Sequence, residues 1–123
     1  MYEDKRQHKR FKVNEDVFVS FNDSYLIGKI RDISKGGLCF EYISLEQSDK
    51  IGSLKRAFIN IWTPFDDISI ANLPCETVYD YKSKQIKIIE DYESRRCGLK
   101  FLYVDGYLES ELEKFKLEEI KFL

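Results

Sequence analysis

Apolar residues along the chain recur in short stretches with a spacing of two, broken by polar turns. Val13, Val17, Val19 and Phe21 fall at odd positions, with Glu15, Phe18 and Ser20 between them, a broken period of two. Tyr25 to Ile33 follows the Asn22-Asp23-Ser24 turn signal, and Gly37 to Ile43 follows Gly36. Further runs are Arg56 to Trp62, Ile68 to Ala71, Cys75 to Tyr81, Gln85 to Ile89 and Gly98 to Val104. They are rich in β-branched and aromatic residues, which suit a pleated, half-buried surface. Pro64 and Pro74 are expected at strand edges, where a missing N–H does least harm. Many short strands with polar turns predict a mainly β fold, an antiparallel barrel or sandwich. The period then changes. Leu108, Leu112, Phe115 and Ile120 can share one face of a helix expected over about 107–122, with its apolar stripe closing the mouth of the barrel. Glu109 and Glu111 in its first turn suit the positive helix end.

Composition narrows the class without naming a function. A chain of 123 residues, 43% hydrophobic and 34% charged, can bury one core and has little room for a second. It contains no run of about 18 apolar residues. The segment from Met1 to Phe11 is charged and lacks the apolar stretch of a secretory signal. Three well-separated cysteines, Cys39, Cys75 and Cys97, fit a reducing compartment better than a disulfide scaffold, so a cytoplasmic protein is expected. They form no C-x-x-C pair, and with one histidine in the chain no metal site is expected. A net charge of −2 argues against a protein that coats long nucleic acids. No nucleophile with a paired base is evident, so an enzyme is the least supported class.

The candidate chemistry lies in two motifs. Arg6-Gln7-His8-Lys9-Arg10 places two arginines four residues apart in a polar arm over residues 1–12, and the remaining 13–123 form the barrel domain. Asp32-Ile33-Ser34-Lys35-Gly36-Gly37 ends one strand and opens the next. A hairpin between them can return the chain to its start, so arm and turn can face one another. A guanidinium forks onto phosphate oxygens or the O6/N7 edge of guanine, and its flat face stacks on a purine. Asp32, ionised, is acceptor-only and suits the N1–H and amine of guanine. Ser34 projects to the same side in an extended strand, and Gly36 and Gly37 permit positive φ and close backbone approach. Taken singly, the arginines fit a solvated arm and the second motif a tight turn with satisfied backbone donors. Arg31 is expected to face away from Asp32, and Arg95 to lie at an exposed strand end.

Together, in this order and at this separation, the motifs resemble those of the PilZ domain family, bacterial receptor modules for cyclic di-GMP. Arg6, Arg10, Asp32, Ser34 and Gly37 match the family's Arg-x-x-x-Arg and Asp/Asn-x-Ser-x-x-Gly signature. Cys97-Gly98-Leu99-Lys100-Phe101 looks like its late Gly-x-x-Phe strand. The resemblance implies a six-stranded antiparallel β-barrel with a C-terminal α-helix and no cofactor beyond the ligand. It implies that Arg6, Arg10, Asp32, Ser34 and Gly37 bind cyclic di-GMP, with Lys5, Lys9, Gly36 and Arg96 as auxiliary contacts. It further implies a protein partner, of the motility, adhesion or polysaccharide-secretion kind, for an arm that orders on the ligand. The other readings are a barrel that binds single-stranded nucleic acid, and a protein–protein adaptor that binds no nucleotide.

Overall fold

The computed structural model describes residues 8–45, 55–65, 67–83 and 92–121. Lys5, Arg6 and the run Gln85 to Ile89 lie outside the described residues. The elements, in chain order, are strands β1 (Arg10–Val13), β2 (Phe18–Phe21), β3 (Ile27–Ser34), β4 (Gly37–Leu45), β5 (Arg56–Trp62), β6 (Ser69–Lys82) and β7 (Tyr92–Phe101), helix α1 (Gly106–Glu113) and strand β8 (Lys116–Glu119). Six strands pair in the order β2-β5-β6-β7-β4-β3, and β2 pairs back onto β3. That last pairing closes an antiparallel barrel of the predicted class and removes the open edges that a flat sheet would leave.

Strand β3 pairs with β4 along one edge and serves two neighbours along the other. Its first half, Ile27 to Lys29, pairs with β2, and its second half, Asp32 to Ser34, pairs with β1. The chain between β1 and β2 turns at Asn14 to Val17, where the Val17 amide donates to the Asn14 carbonyl at 3.3 Å. Alternate side chains of the strands point inward and form one core that includes Val19, Ile33, Leu38, Phe40, Ile59 and Leu99. Phe40 sits at its centre, fully buried, with its ring 5.7 Å from those of Phe21 and Tyr42. Truncating such a ring to alanine costs about 3–5 kcal/mol. Helix α1 is capped by Asp105, whose side chain accepts from the Leu108 amide at 2.8 Å, and it adds Leu108 and Leu112 to the same core.

Four expectations require correction. The helix stops at Glu113 instead of running to about 122, and Lys116–Glu119 is a strand against β1. Phe115 still reaches the core, but β1 offers an unpaired edge, and the Ile120 amide donates to the Arg10 carbonyl at 2.8 Å. Tertiary pairing there outweighs helical periodicity. For the same reason an arm over 1–12 ends too late, because Arg10 to Lys12 already belong to β1, held between β3 and β8. Pro74 lies inside β6, opposite Phe58, just beyond the last β6–β7 partner pair, Cys75 with Phe101. Finally, no described glycine has positive φ. Gly37 is required for closeness: a Cβ there would stand 2.1 Å from the Leu99 carbonyl oxygen.

Candidate functional site

The outer face of β3, β4, β7 and β6 carries a cleft of about 400 Å³, at the small end of ligand-site volumes. Arg10 enters it from β1. Its register partner is Ser34, and its side chain reaches diagonally to Asp32, to which Nε donates at 2.6 Å. Both side chains are only 18% exposed, so this ion pair is fixed rather than solvated. The two sequence motifs therefore meet, through Arg10 and Asp32.

The rest of the second motif builds the turn that presents Asp32. Ser34 is buried, and its hydroxyl accepts from the amides of Gly36 and Gly37, each at 3.2 Å, and donates to the Gly37 carbonyl at 3.3 Å. Ser34 and Gly37 are not among the residues lining the cleft, and Gly36 lies under His8, whose ring stands 2.6 Å from where a Cβ would be. Lys9 is exposed and lies 3.6 Å from Glu119 of β8. The structure thus brings Arg10, Asp32 and Arg96 to the cleft and leaves Lys9, Ser34, Gly36 and Gly37 beside it.

Two arginines behave differently from their sequence expectation. The β3–β4 register shifts between Ile30 and Asp32, leaving Arg31 as an extra residue on β3. Such a bulge re-aims side chains. Arg31 and Asp32 consequently line the same cleft instead of opposite faces. Arg95 is not an exposed strand end. It is 12% exposed, donates to Asp80 through Nε at 2.9 Å and to Glu93 through Nη1 at 2.8 Å, and Tyr42 donates to Asp80 at 2.7 Å.

The site's aromatic surface was not anticipated. A second register shift, in β6 between Thr77 and Tyr79, places Tyr79 opposite Gly98 and Tyr81 opposite Arg96. The Tyr79 ring covers Gly98, where a Cβ would come within 2.1 Å of its Cε2. Tyr79 and Tyr81 stack with centroids 5.4 Å apart, and the Tyr79 hydroxyl donates to Cys39 Sγ at 3.1 Å. Burial pushes the Tyr79 phenol up, and Cys39 beside it pushes it further. The Cys39 thiol is also raised, first by burial, so both groups stay protonated at neutral pH. The alternation Tyr79-x-Tyr81 in β6, with Gly98 two residues after Arg96 in β7, is the signal that locates this surface once the two strands are paired.

Glu41 joins the site from β4. Its Oε1 accepts from Arg31 Nη1 at 2.8 Å and from Arg96 Nη2 at 2.9 Å. Burial raises its carboxyl, but the two guanidiniums outweigh that and hold it below the ordinary value of 4.5. The cleft is therefore lined by three guanidiniums, the Asp32 carboxylate and a pair of stacked phenol rings, with Glu41 held against two of the arginines, a surface for a planar, anionic molecule.

The protein is thus a small closed antiparallel barrel with a cleft of arginines and tyrosines on its outer wall. The profile of the PilZ domain family matches residues 4–118, and the chain belongs to that family. The fold is similar to a solved structure described as the PilZ domain with c-di-GMP of YcgR from Escherichia coli. The two superpose with a TM-score of 0.62 at 16% identity, over 90% of this chain and 88% of that one. No curated protein matches the chain.

Proposed function

We propose that this chain is a non-enzymatic receptor for cyclic di-GMP, working in the bacterial cytoplasm. The observation that carries the reading is the Arg10–Asp32 pair at 2.6 Å on the rim of a cleft floored by Tyr79, in a chain of the PilZ family. Arg10 supplies donors for a phosphate or a guanine Hoogsteen edge, and Asp32 supplies acceptors for the N1–H and amine of the same base. Ser34, Gly36 and Gly37 hold the turn that aims Asp32. Arg6, one motif step before Arg10, is the second arginine of the clamp, with Lys5 beside it.

The test is titration calorimetry of cyclic di-GMP against cyclic di-AMP, GTP and a short RNA. Cyclic di-GMP alone should bind. Arg10→Ala and Arg6→Ala should each weaken it at least tenfold, because each removes charge-assisted bonds worth about 1.5–3 kcal/mol. Asp32→Asn should also lose affinity, since its amide would set donors against donors. Near wild-type affinity in both arginine variants would sink the assignment, and binding of RNA alone would replace it.

The same clamp gives the signal an output. Ligand held by Arg6 and Arg10 fixes the chain before β1 against the barrel and so creates a composite surface for a protein partner. Amides 2–9 should exchange freely without ligand and slowly with it. Protection already present in the free protein would mean a preformed site and would remove this switch.

A further inference from the structure

Resting on the reading that the cleft takes a cyclic dinucleotide, we infer that Arg31 and Arg96 form a second anion-binding arm of the cleft, and that Glu41 is the resident counter-ion which a ligand phosphate displaces from them. Three observations converge on this. First, both guanidiniums line the cleft, yet both are committed to one carboxylate oxygen, Glu41 Oε1, at 2.8 and 2.9 Å. Second, Arg96 Nε is buried and has no hydrogen-bond partner among the described residues. A buried donor of this kind is rare, and a water or a ligand group can supply its partner. Beside Glu41 the Arg96 guanidinium uses Nη2 alone, whereas a phosphate approached by the fork engages two N–H groups at once. Third, the arm stands at a suitable place. Asp32 pairs with Cys39, and Glu41 lies two residues further along β4. The two arginine–carboxylate groups are thus diagonal neighbours, with backbones about 7–8 Å apart.

Charge decides the direction of the effect. Among the described residues, Arg10, Arg31 and Arg96 at the cleft outnumber Asp32 and the neighbouring Glu41 by one positive charge. A cyclic dinucleotide brings two negative phosphates. A phosphate that reaches Arg31 or Arg96 must displace the Glu41 carboxylate, which competes with the ligand for both. Glu41 sets the threshold at which the second phosphate is captured. Glu41→Gln preserves shape and hydrogen-bonding capacity while removing the competing charge.

The test is calorimetric titration of the full chain with cyclic di-GMP at two salt concentrations, for the wild type, Glu41→Gln, Arg96→Ala and the double variant, with thermal melts to verify folding. Glu41→Gln should tighten binding by about three- to tenfold and steepen its dependence on salt. Arg96→Ala should weaken binding, and in the double variant the gain should disappear. Unchanged affinity in Glu41→Gln, or weaker affinity, overturns the inference; the latter would mean that Glu41 itself contacts the ligand or positions the arginines for it. If neither wild type nor Glu41→Gln binds cyclic di-GMP, the functional reading falls and takes this arm with it. Binding by the wild type without tightening in the variant overturns the arm alone.

Discussion

Arg95 and Arg96 are adjacent in the chain and identical in chemistry, yet they belong to different regions with different physics. Strand period sends Arg95 to the inner side of β7 and Arg96 to the outer side. Inside, Arg95 is 12% exposed and makes three hydrogen bonds, two to Asp80 and one to Glu93, with Tyr42 completing the Asp80 carboxylate. Outside, Arg96 is 32% exposed, and among the described residues it makes one bond, to Glu41, and keeps a buried Nε without a partner. The inner network is satisfied, as buried charge must be. The outer one is incomplete. A completed network holds a barrel in one state, whereas an incomplete one retains donors for something that arrives later.

The sharpest way to break this comparison is to truncate each arginine in turn. Arg95→Ala leaves Asp80 and Glu93 without their guanidinium partner, and breaking a buried pair in this way costs roughly 3–5 kcal/mol. The melting temperature should fall by about 10 °C or more. Arg96→Ala removes one partly exposed pair and should change stability by no more than about 1 kcal/mol. Equal melting shifts in the two variants would show that the inner and outer networks do not differ in kind.

How far this division was legible in the sequence depends on which contacts set it. The barrel came from period-two patterning, because burial on one face constrains every strand locally. The pairing of Arg10 with Asp32 came from the motifs and their separation. Arg31 is expected to face away from Asp32 and Arg95 to lie at an exposed strand end, and neither does. For Arg31 the cause is the bulge between Ile30 and Asp32, one extra residue that no alternation rule reveals. For Arg95 the cause is the identity of its partners, since Asp80 lies on a different strand, 15 residues away. The C-terminal helix is shorter than its periodicity predicts because the free edge of β1, which takes up β8, is a tertiary fact. Tyr79 and Glu41 were missed because each acquires its meaning only opposite Gly98 and between two arginines.

Two glycines sharpen the same contrast with smaller effects. At Gly37 a Cβ would meet the backbone, the Leu99 carbonyl oxygen at 2.1 Å, and backbone cannot swing aside. At Gly98 it would meet the ring of Tyr79, which is 37% exposed and can rotate outward. Gly37→Ala should therefore cost about 1–3 kcal/mol of stability by forcing β4 from β7. Gly98→Ala should leave the melting temperature nearly unchanged but weaken ligand binding, because it lifts the floor of the cleft. Loss of stability in Gly98→Ala comparable with that in Gly37→Ala would make Tyr79 a structural ring rather than a part of the site.

The smallest expected effect is the stability contributed by the outer network itself, read through pH. Burial raises the Glu41 carboxyl, and the hydrogen bonds and charges of Arg96 and Arg31 more than reverse that, so its folded-state pKa lies below the ordinary 4.5. A carboxyl whose folded pKa is depressed binds its proton more readily in the unfolded chain. Its contribution to stability is therefore fully present above the unfolded value and is lost as pH falls through the lower, folded one. Glu41→Gln lacks this term at every pH. Wild type should melt slightly above Glu41→Gln at pH 7, by less than about 1 kcal/mol given the partial exposure of Arg31, and the gap should close only below pH 4.5. Melting curves of both proteins from pH 7 to pH 3 measure it directly. A gap that persists unchanged into acid would mean that Glu41 stabilises through packing and not through its charge, and an inverted gap at pH 7 would mean that the two arginines are better seated without it.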